Sequence, residues 1–250
     1  MPDTVIEIVD LNKTYASGHT ALRNLTLEVR QGEVFGFLGH NGAGKTTTIH
    51  ILTTLMAPSS GMAKICGHSV EEAPNEVRRH IGYVPENVRL YDTMTARANL
   101  RFFGRLSGVE NLERRIDETL EFLESQHLAD RPVGSFSKGL RQRIGLAQAI
   151  LHRPAVLFLD EPTSGLDPLG IKTLRDLIVR LNTEFGTTIF MNTHLISEIA
   201  KTCHTIGVLN QGQLVFNDTI TAVSERYGDD AALEELYLSI TPVARKDEAA

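Results

Sequence analysis

The sequence predicts an α/β protein with a mainly parallel sheet, an antiparallel β opening and a helical subdomain inserted into the core. Three observations carry this. Residues 33–38 and 155–159 are short, apolar runs of the kind found in strands buried on both faces. Residues 5–9 and 25–29 alternate apolar and polar side chains, as half-buried strands do, and Gln31 and Gly32 mark a turn after the second. From 93 to about 129 the period becomes helical, with Leu112, Ile116, Leu120 and Leu123 at three- and four-residue steps.

Between the first buried strand and a run of helix-forming residues lies Gly39, His40, Asn41, Gly42, Ala43, Gly44, Lys45, Thr46 and Thr47, which fits G-x-x-x-x-G-K-[ST]. Strand, glycine loop and helix is the context this pattern needs, and it makes the core a P-loop NTPase core. The glycines let successive backbone N–H groups converge on phosphate oxygens, and the helix N-terminus adds about half a positive charge there. Lys45 is expected to reach the β- and γ-phosphates and the Thr46 hydroxyl to ligate Mg²⁺. The helix is expected from Thr47 to Met56, stopped by Pro58. A chance glycine turn is the bland alternative, and the flanking strand and helix weigh against it.

The totals limit the function classes. The 250 residues suit one large domain or a domain with an insertion. Hydrophobic residues make 42% and charged residues 22%, ordinary for a globular protein. A net charge of −6 argues against bulk electrostatic binding of DNA or RNA. No apolar run approaches the roughly 18 residues of a spanning helix, and the acidic N-terminus lacks a hydrophobic signal core, so a cytoplasmic location is expected. Cys66 and Cys203 are too few and too isolated for a disulfide framework or a metal site.

Along the chain, Tyr15 stands in a polar loop, where it is a surface residue or a stacking partner for a base. Short strands are expected at 63–66 and at 81–84, the latter ending in a turn at Pro85 and Glu86. The second apolar run ends in Asp160 and Glu161. A carboxylate at the end of a buried strand is costly unless something positive meets it, and Mg²⁺ would do so at Asp160. Glu161 can then accept a proton from an attacking water, or it merely caps the turn at Pro162; from the residues alone both readings stand. Asp167 and Pro168 open a helix whose buried stripe is Leu174, Leu177, Ile178 and Leu181. A strand at 188–192 leads to His194, which is either a satisfied loop or core histidine or a donor to a γ-phosphate; its place just past a strand end favours the second. Residues 206–209 and 214–216 flank a turn at Gln211 and Gly212 and read as a closing hairpin. Ser137, Lys138 and Gly139 open an apolar helix and form either an ordinary N-cap or a second anion site.

Together these residues resemble the ATPase subunit of ATP-binding cassette (ABC) transporters, from about residue 5 to 240. Residues 136–140 sit where that family carries its L-S-G-G-Q signature. The resemblance implies that Asp160 holds the metal, Glu161 is the catalytic base and His194 the switch histidine. It likewise makes Tyr15 the adenine-stacking aromatic, and puts Asp167 in the loop that communicates across a dimer. It further implies two ATP molecules in a head-to-tail dimer, most simply a homodimer. Each would lie between Gly39 to Thr47 of one subunit and Ser137 to Gly139 of the other. Integral membrane permease subunits on separate chains would respond through the region around Glu86, at the cytoplasmic face of the membrane.

Three residues depart from the family pattern: Glu86 stands for the usual glutamine, Lys138 for a glycine and Leu140 for the signature glutamine. The resemblance still implies that the Glu86 carboxylate faces Mg²⁺ beside Thr46 and Asp160. Residues 95–100, the signature variant and residues 233–238 look most like the exporter group for drugs, sodium ions, polysaccharides or peptide antibiotics. The expected organisation is a core at 1–92 and 151–240, a helical subdomain at 93–150 and a loose tail at 241–250. The competing readings are a soluble, non-transport cassette ATPase and an ATP-sensing regulatory module. One cassette per chain and the acidic balance count against the first, and Glu161 with His194 against the second.

Overall fold

A computed structural model describes residues 4–227. The expectations at 233–238 and 241–250 lie outside the described residues. β1 (Thr4–Thr14) and β2 (Thr20–Arg30) form an antiparallel hairpin, longer than the alternating cores alone suggested. Leu25, Leu27 and Val29 of β2 point inward while Thr26 and Glu28 face solvent. β4 (Ser60–Ile65) and β5 (His68–Ser69) complete a four-stranded sheet in the order β2-β1-β4-β5.

The second sheet holds β3 (Val34–Leu38), β6 (Ile81–Val84), β7 (Val156–Asp160), β8 (Thr188–Thr193), β9 (Thr205–Asn210) and β10 (Gln213–Thr219). Their order is β10-β9-β3-β8-β7-β6, parallel except for the terminal β9–β10 hairpin. Every residue of β3, β7 and β8 is buried, as apolar runs covered on both faces must be.

Period two splits each of these strands between two cores. Phe35, Phe37, Phe158 and Phe190 turn toward the antiparallel sheet and α1 (Lys45–Leu52), with ring centroids 5.2 to 6.2 Å apart. Leu38, Leu157, Leu159 and Met191 face the helical side. That side holds α3 (Ala96–Leu106), α4 (Leu112–Phe122), α5 (Lys138–Ile150), α6 (Pro168–Phe185) and α7 (Ile196–Thr202). The inward stripe of α6 is Leu174, Leu177, Ile178 and Leu181, as its spacing predicts, and Gly186 ends it at φ 66°.

The helical segment shares its core with the sheet. Ile116, Leu120 and Leu123 pack in one cluster with Ile144 of α5 and Leu157 of β7. Gly82 of β6 permits the close approach of α5, since a Cβ there would lie 2.3 Å from the Ala149 carbonyl oxygen.

The helix expected to run to Met56 ends at Leu52 instead. Thr53 turns its hydroxyl back to the Ile49 carbonyl at 2.7 Å, and Thr54 adopts φ 61°, which closes the helix long before Pro58. Three short helices were not anticipated: α2 (Pro74–His80), α7, and α8 (Ile220–Tyr227). Val77 is the one buried residue of α2, so no periodic stripe marks it.

Candidate nucleotide site

The site forms where the carboxyl ends of β3, β7 and β8 meet the start of α1, the place where ligands sit in open α/β sheets. The loop between β3 and α1 depends on its glycines. A Cβ on Gly39 would lie 2.6 Å from the Leu209 carbonyl oxygen, and one on Gly44 2.5 Å from that of Ala21. Gly44 also adopts φ 111°, open only to glycine at low cost. Ala43 is buried under the loop while His40 and Asn41 are exposed. His40 Nε2 lies 3.2 Å from Asn210 Oδ1. Lys45 is buried and donates to the Gly39 carbonyl at 2.6 Å.

Register brings the carboxylates to this loop. β7 pairs with β8 so that Asp160 lies opposite Asn192. The Thr46 hydroxyl donates to Asp160 Oδ1 at 3.1 Å, and Asn192 Nδ2 donates to the same oxygen at 2.6 Å. The Asn192 side-chain oxygen accepts from the Glu161 N–H at 2.6 Å, so one amide fixes both acidic positions. Glu161 sits at φ 46°, an unusual conformation for a non-glycine residue, and that hydrogen bond helps hold it. Its carboxylate lies between two basic groups: Oε1 is 3.5 Å from Lys45 Nζ, and Oε2 is 2.8 Å from His194 Nδ1. The carboxylate side chain is 13% exposed and that of His194 51%. Tyr83 of β6 lies beside Asp160; burial above all, then the Asp160 charge and its hydrogen-bonding influence, push the phenol well above its ordinary range, so it stays protonated.

Comparison with known proteins assigns this arrangement. Residues 22–164, more than half of the chain, match the model of the ABC transporter family. The chain belongs to the ABC transporter ATPases. The bacitracin transport ATP-binding protein of Bacillus licheniformis is 43% identical over 212 residues, 85% of this chain and 69% of that protein. Among solved structures, an ATP-binding subunit of an ABC transporter superposes with a TM-score of 0.83 at 30% identity, covering 95% of this chain and 99% of that one. A dimeric ATP-binding cassette in a post-hydrolysis state, bound to ADP and Pi, superposes at 0.77 with 26% identity, covering 86% of this chain and 98% of that one. The protein is thus an ATPase subunit that binds and hydrolyses ATP.

Other expected site residues of the ABC ATPase fall in two groups. Tyr15 belongs to the loop: its hydroxyl is 3.0 Å from Thr47 Oγ1, its ring stacks with His19 at 6.3 Å, and Lys13 lies 5.8 Å over it. Among the described residues no hydrogen bond joins Glu86 to Thr46 or Asp160, and it accepts instead from Ser164 Oγ at 2.9 Å. Ser137, Lys138 and Gly139 are a separate group. Among the described residues no hydrogen bond or ion pair joins them to residues 39–47. Ser137 caps α5, accepting from the Leu140 N–H at 3.4 Å. A Cβ on Gly139 would touch Leu166, and the Lys138 chain lies along Gly165. Asp167 caps α6 by accepting from the Gly170 N–H at 2.9 Å.

Sequence reasoning did not single out Asn192, Tyr83 or the Ser164–Glu86 bond. Asn192 carried a signal that went unread, since a wholly buried amide at the end of an apolar strand needs a polar partner. Tyr83 carried none, because only the β6–β7 pairing brings it to Asp160.

Proposed function

We propose that this ATPase subunit works in a head-to-tail dimer with a second ATPase subunit, most simply its own copy, whose closing on ATP and reopening on hydrolysis drives export. The export path belongs to integral membrane permease subunits on separate chains, which hold the ATPase at the cytoplasmic face of the membrane. The observation that carries this is the Glu161 carboxylate held between Lys45 and His194 at the mouth of the phosphate loop. A base so placed is set to take a proton from a water beside the γ-phosphate.

In this reading the N–H groups of residues 39–47 cradle the phosphates, and Tyr15 offers its ring to the adenine. Arriving phosphate oxygens draw Lys45 from the Gly39 carbonyl and release Glu161 Oε1 for water. His194 then positions the γ-phosphate beside Glu161. Thr46 Oγ1 and Asp160 Oδ1, 3.1 Å apart, are the hard oxygen donors that Mg²⁺ takes alongside water and phosphate. Bound there, the ion neutralises phosphate charge. Glu86 joins that set only by exchanging its Ser164 bond, which makes it the link between nucleotide and membrane subunits.

Ser137, Lys138 and Gly139 present the capped start of α5 to the partner's ATP, with Asp167 beside them. Residues 93–150 then move as the helical subdomain against the core at 1–92 and 151–240. The acidic chain takes no nucleic acid partner.

The test is size in solution of Glu161→Gln with and without Mg²⁺-ATP, beside the ATPase rate of the parent protein. An ATP-dependent dimer in the variant and turnover in the parent support the proposal. A monomer in both conditions, with turnover in the parent, removes the dimer step.

A further inference from the structure

The chain leaving β6 and the first turn of α5 face each other across a cleft of about 430 Å³. Glu86, Arg89 and Asp92 line it from the first segment, and Lys138, Arg141 and Gln142 from the second. Asp92 and Arg141 satisfy each other at 2.6 Å. The other groups are less well met. Among the described residues, the Glu86 carboxylate has one partner, the Ser164 hydroxyl on Oε1 at 2.9 Å, so Oε2 is free to accept. The Lys138 chain lies along Gly165, and among the described residues no hydrogen bond or ion pair engages its ammonium.

Each of three groups here carries a cost. Lys138 is the first residue of α5, and the first turn holds no acidic residue. A cation there opposes the positive end of the helix dipole. Gln142 is 4% exposed, yet its Nε2 has no hydrogen-bond partner, and a buried donor left unpaired is destabilising. Glu86 is half-buried, where one neutral hydroxyl meets its charge poorly. One carboxylate answers both donors.

We propose that Glu86 Oε2 closes onto Lys138 Nζ and Gln142 Nε2, a clasp that makes these two the positioning residues of Glu86. Ser164 and Gly165 are consecutive, so the carboxylate and the lysine chain already meet neighbouring residues of one turn. Asp92 is taken by Arg141, and Arg89 is exposed on Glu86's own segment, where pairing would join no two elements. With the glutamine and glycine of the family pattern at 86 and 138 neither charge would exist, so the clasp belongs to this chain's two departures. A clasped carboxylate is withheld from Mg²⁺, and the start of α5 is thereby tied to the nucleotide site. This consequence rests on the reading of Glu86 as metal-facing; the clasp itself does not.

The test is a double-mutant cycle on the full chain, with Lys138→Met placed in the parent and in Glu86→Gln. Methionine keeps the apolar stem and removes the charge. The readouts are the urea midpoint and the Mg²⁺ concentration that gives half-maximal ATP turnover. Lys138→Met should lower the midpoint, and lower the Mg²⁺ requirement roughly two- to fivefold, in the parent but not in Glu86→Gln. Gln142→Leu removes the buried donor at similar volume and should show the same dependence on Glu86. Midpoints coupled in this way, with a Mg²⁺ requirement that Glu86→Gln and Lys138→Met both leave unmoved, support the clasp and remove Glu86 from the metal. Equal effects of either substitution in both backgrounds overturn the clasp. So does Arg89→Met, the charge control, if it depends on Glu86 as strongly as Lys138→Met.

Discussion

His194 Nδ1 lies 2.8 Å from Glu161 Oε2 across 33 residues of chain, because the parallel pairing of β7 with β8 delivers both strand ends to one edge. With Lys45 on the other carboxylate oxygen, removing either partner has a distinct consequence. Glu161→Gln keeps the shape and removes the base. It should cut hydrolysis by roughly 10²–10⁴-fold while ATP still binds. Steady-state ATPase and nucleotide titration check this, and a parental rate would remove Glu161 from the base role. His194→Ala should slow turnover with little loss of ATP affinity; a large affinity loss would make it a binding residue.

Asn192 acts on the chemistry through its neighbours. Asn192→Leu leaves Asp160 short of one hydrogen bond and frees the Glu161 N–H at a backbone angle that only local bonding holds. A loss of about 1–3 kcal/mol of stability is expected. A positioning role also predicts a raised Mg²⁺ requirement for turnover, which a purely structural loss would leave unmoved. Urea unfolding and ATPase rates across a Mg²⁺ series separate the two.

Much of this site was legible because its parts are local. The loop from Gly39 to Thr47, Asp160 with Glu161 at a strand end, and the Asp167 cap are each written in a few consecutive residues. The stripe of α6 was equally plain, since all four predicted positions are buried. What stayed hidden depends on pairing between strands: the reach of Asn192 to both carboxylate positions, and of Tyr83 to Asp160. The early end of α1 came from Thr54, whose left-handed φ of 61° turns the chain out of the helix before the more obvious Pro58. Glu86 was expected at the metal and is bonded to Ser164, a contact between two loops that no periodicity encodes.

His152 supplies a pH dependence. Burial lowers its pKa from 6.5, with the hydrogen bond to the Ile81 carbonyl acting the other way. The folded state therefore binds the proton less readily than the unfolded chain. Its contribution to stability is complete above about pH 6.5 and is lost as pH falls through the lowered folded value. Unfolding free energy should decline from pH 7.5 to 5.5, and His152→Gln should flatten that slope. An equal slope in both proteins would place the effect elsewhere.

Gly82→Ala tests how firmly the helical segment is set on the sheet. The added Cβ would fall 2.3 Å from the Ala149 carbonyl oxygen and 3.0 Å from Leu157 Cδ1. The first of these is backbone, so no side-chain rotation relieves it and α5 must shift. A loss of about 1–3 kcal/mol is expected, read as a lower urea midpoint. Because Ser137 caps α5, the shift should also lower ATPase turnover while ATP binding at Lys45 persists. An unchanged midpoint would mean that α5 rides loosely on β6, and turnover should then be unchanged as well.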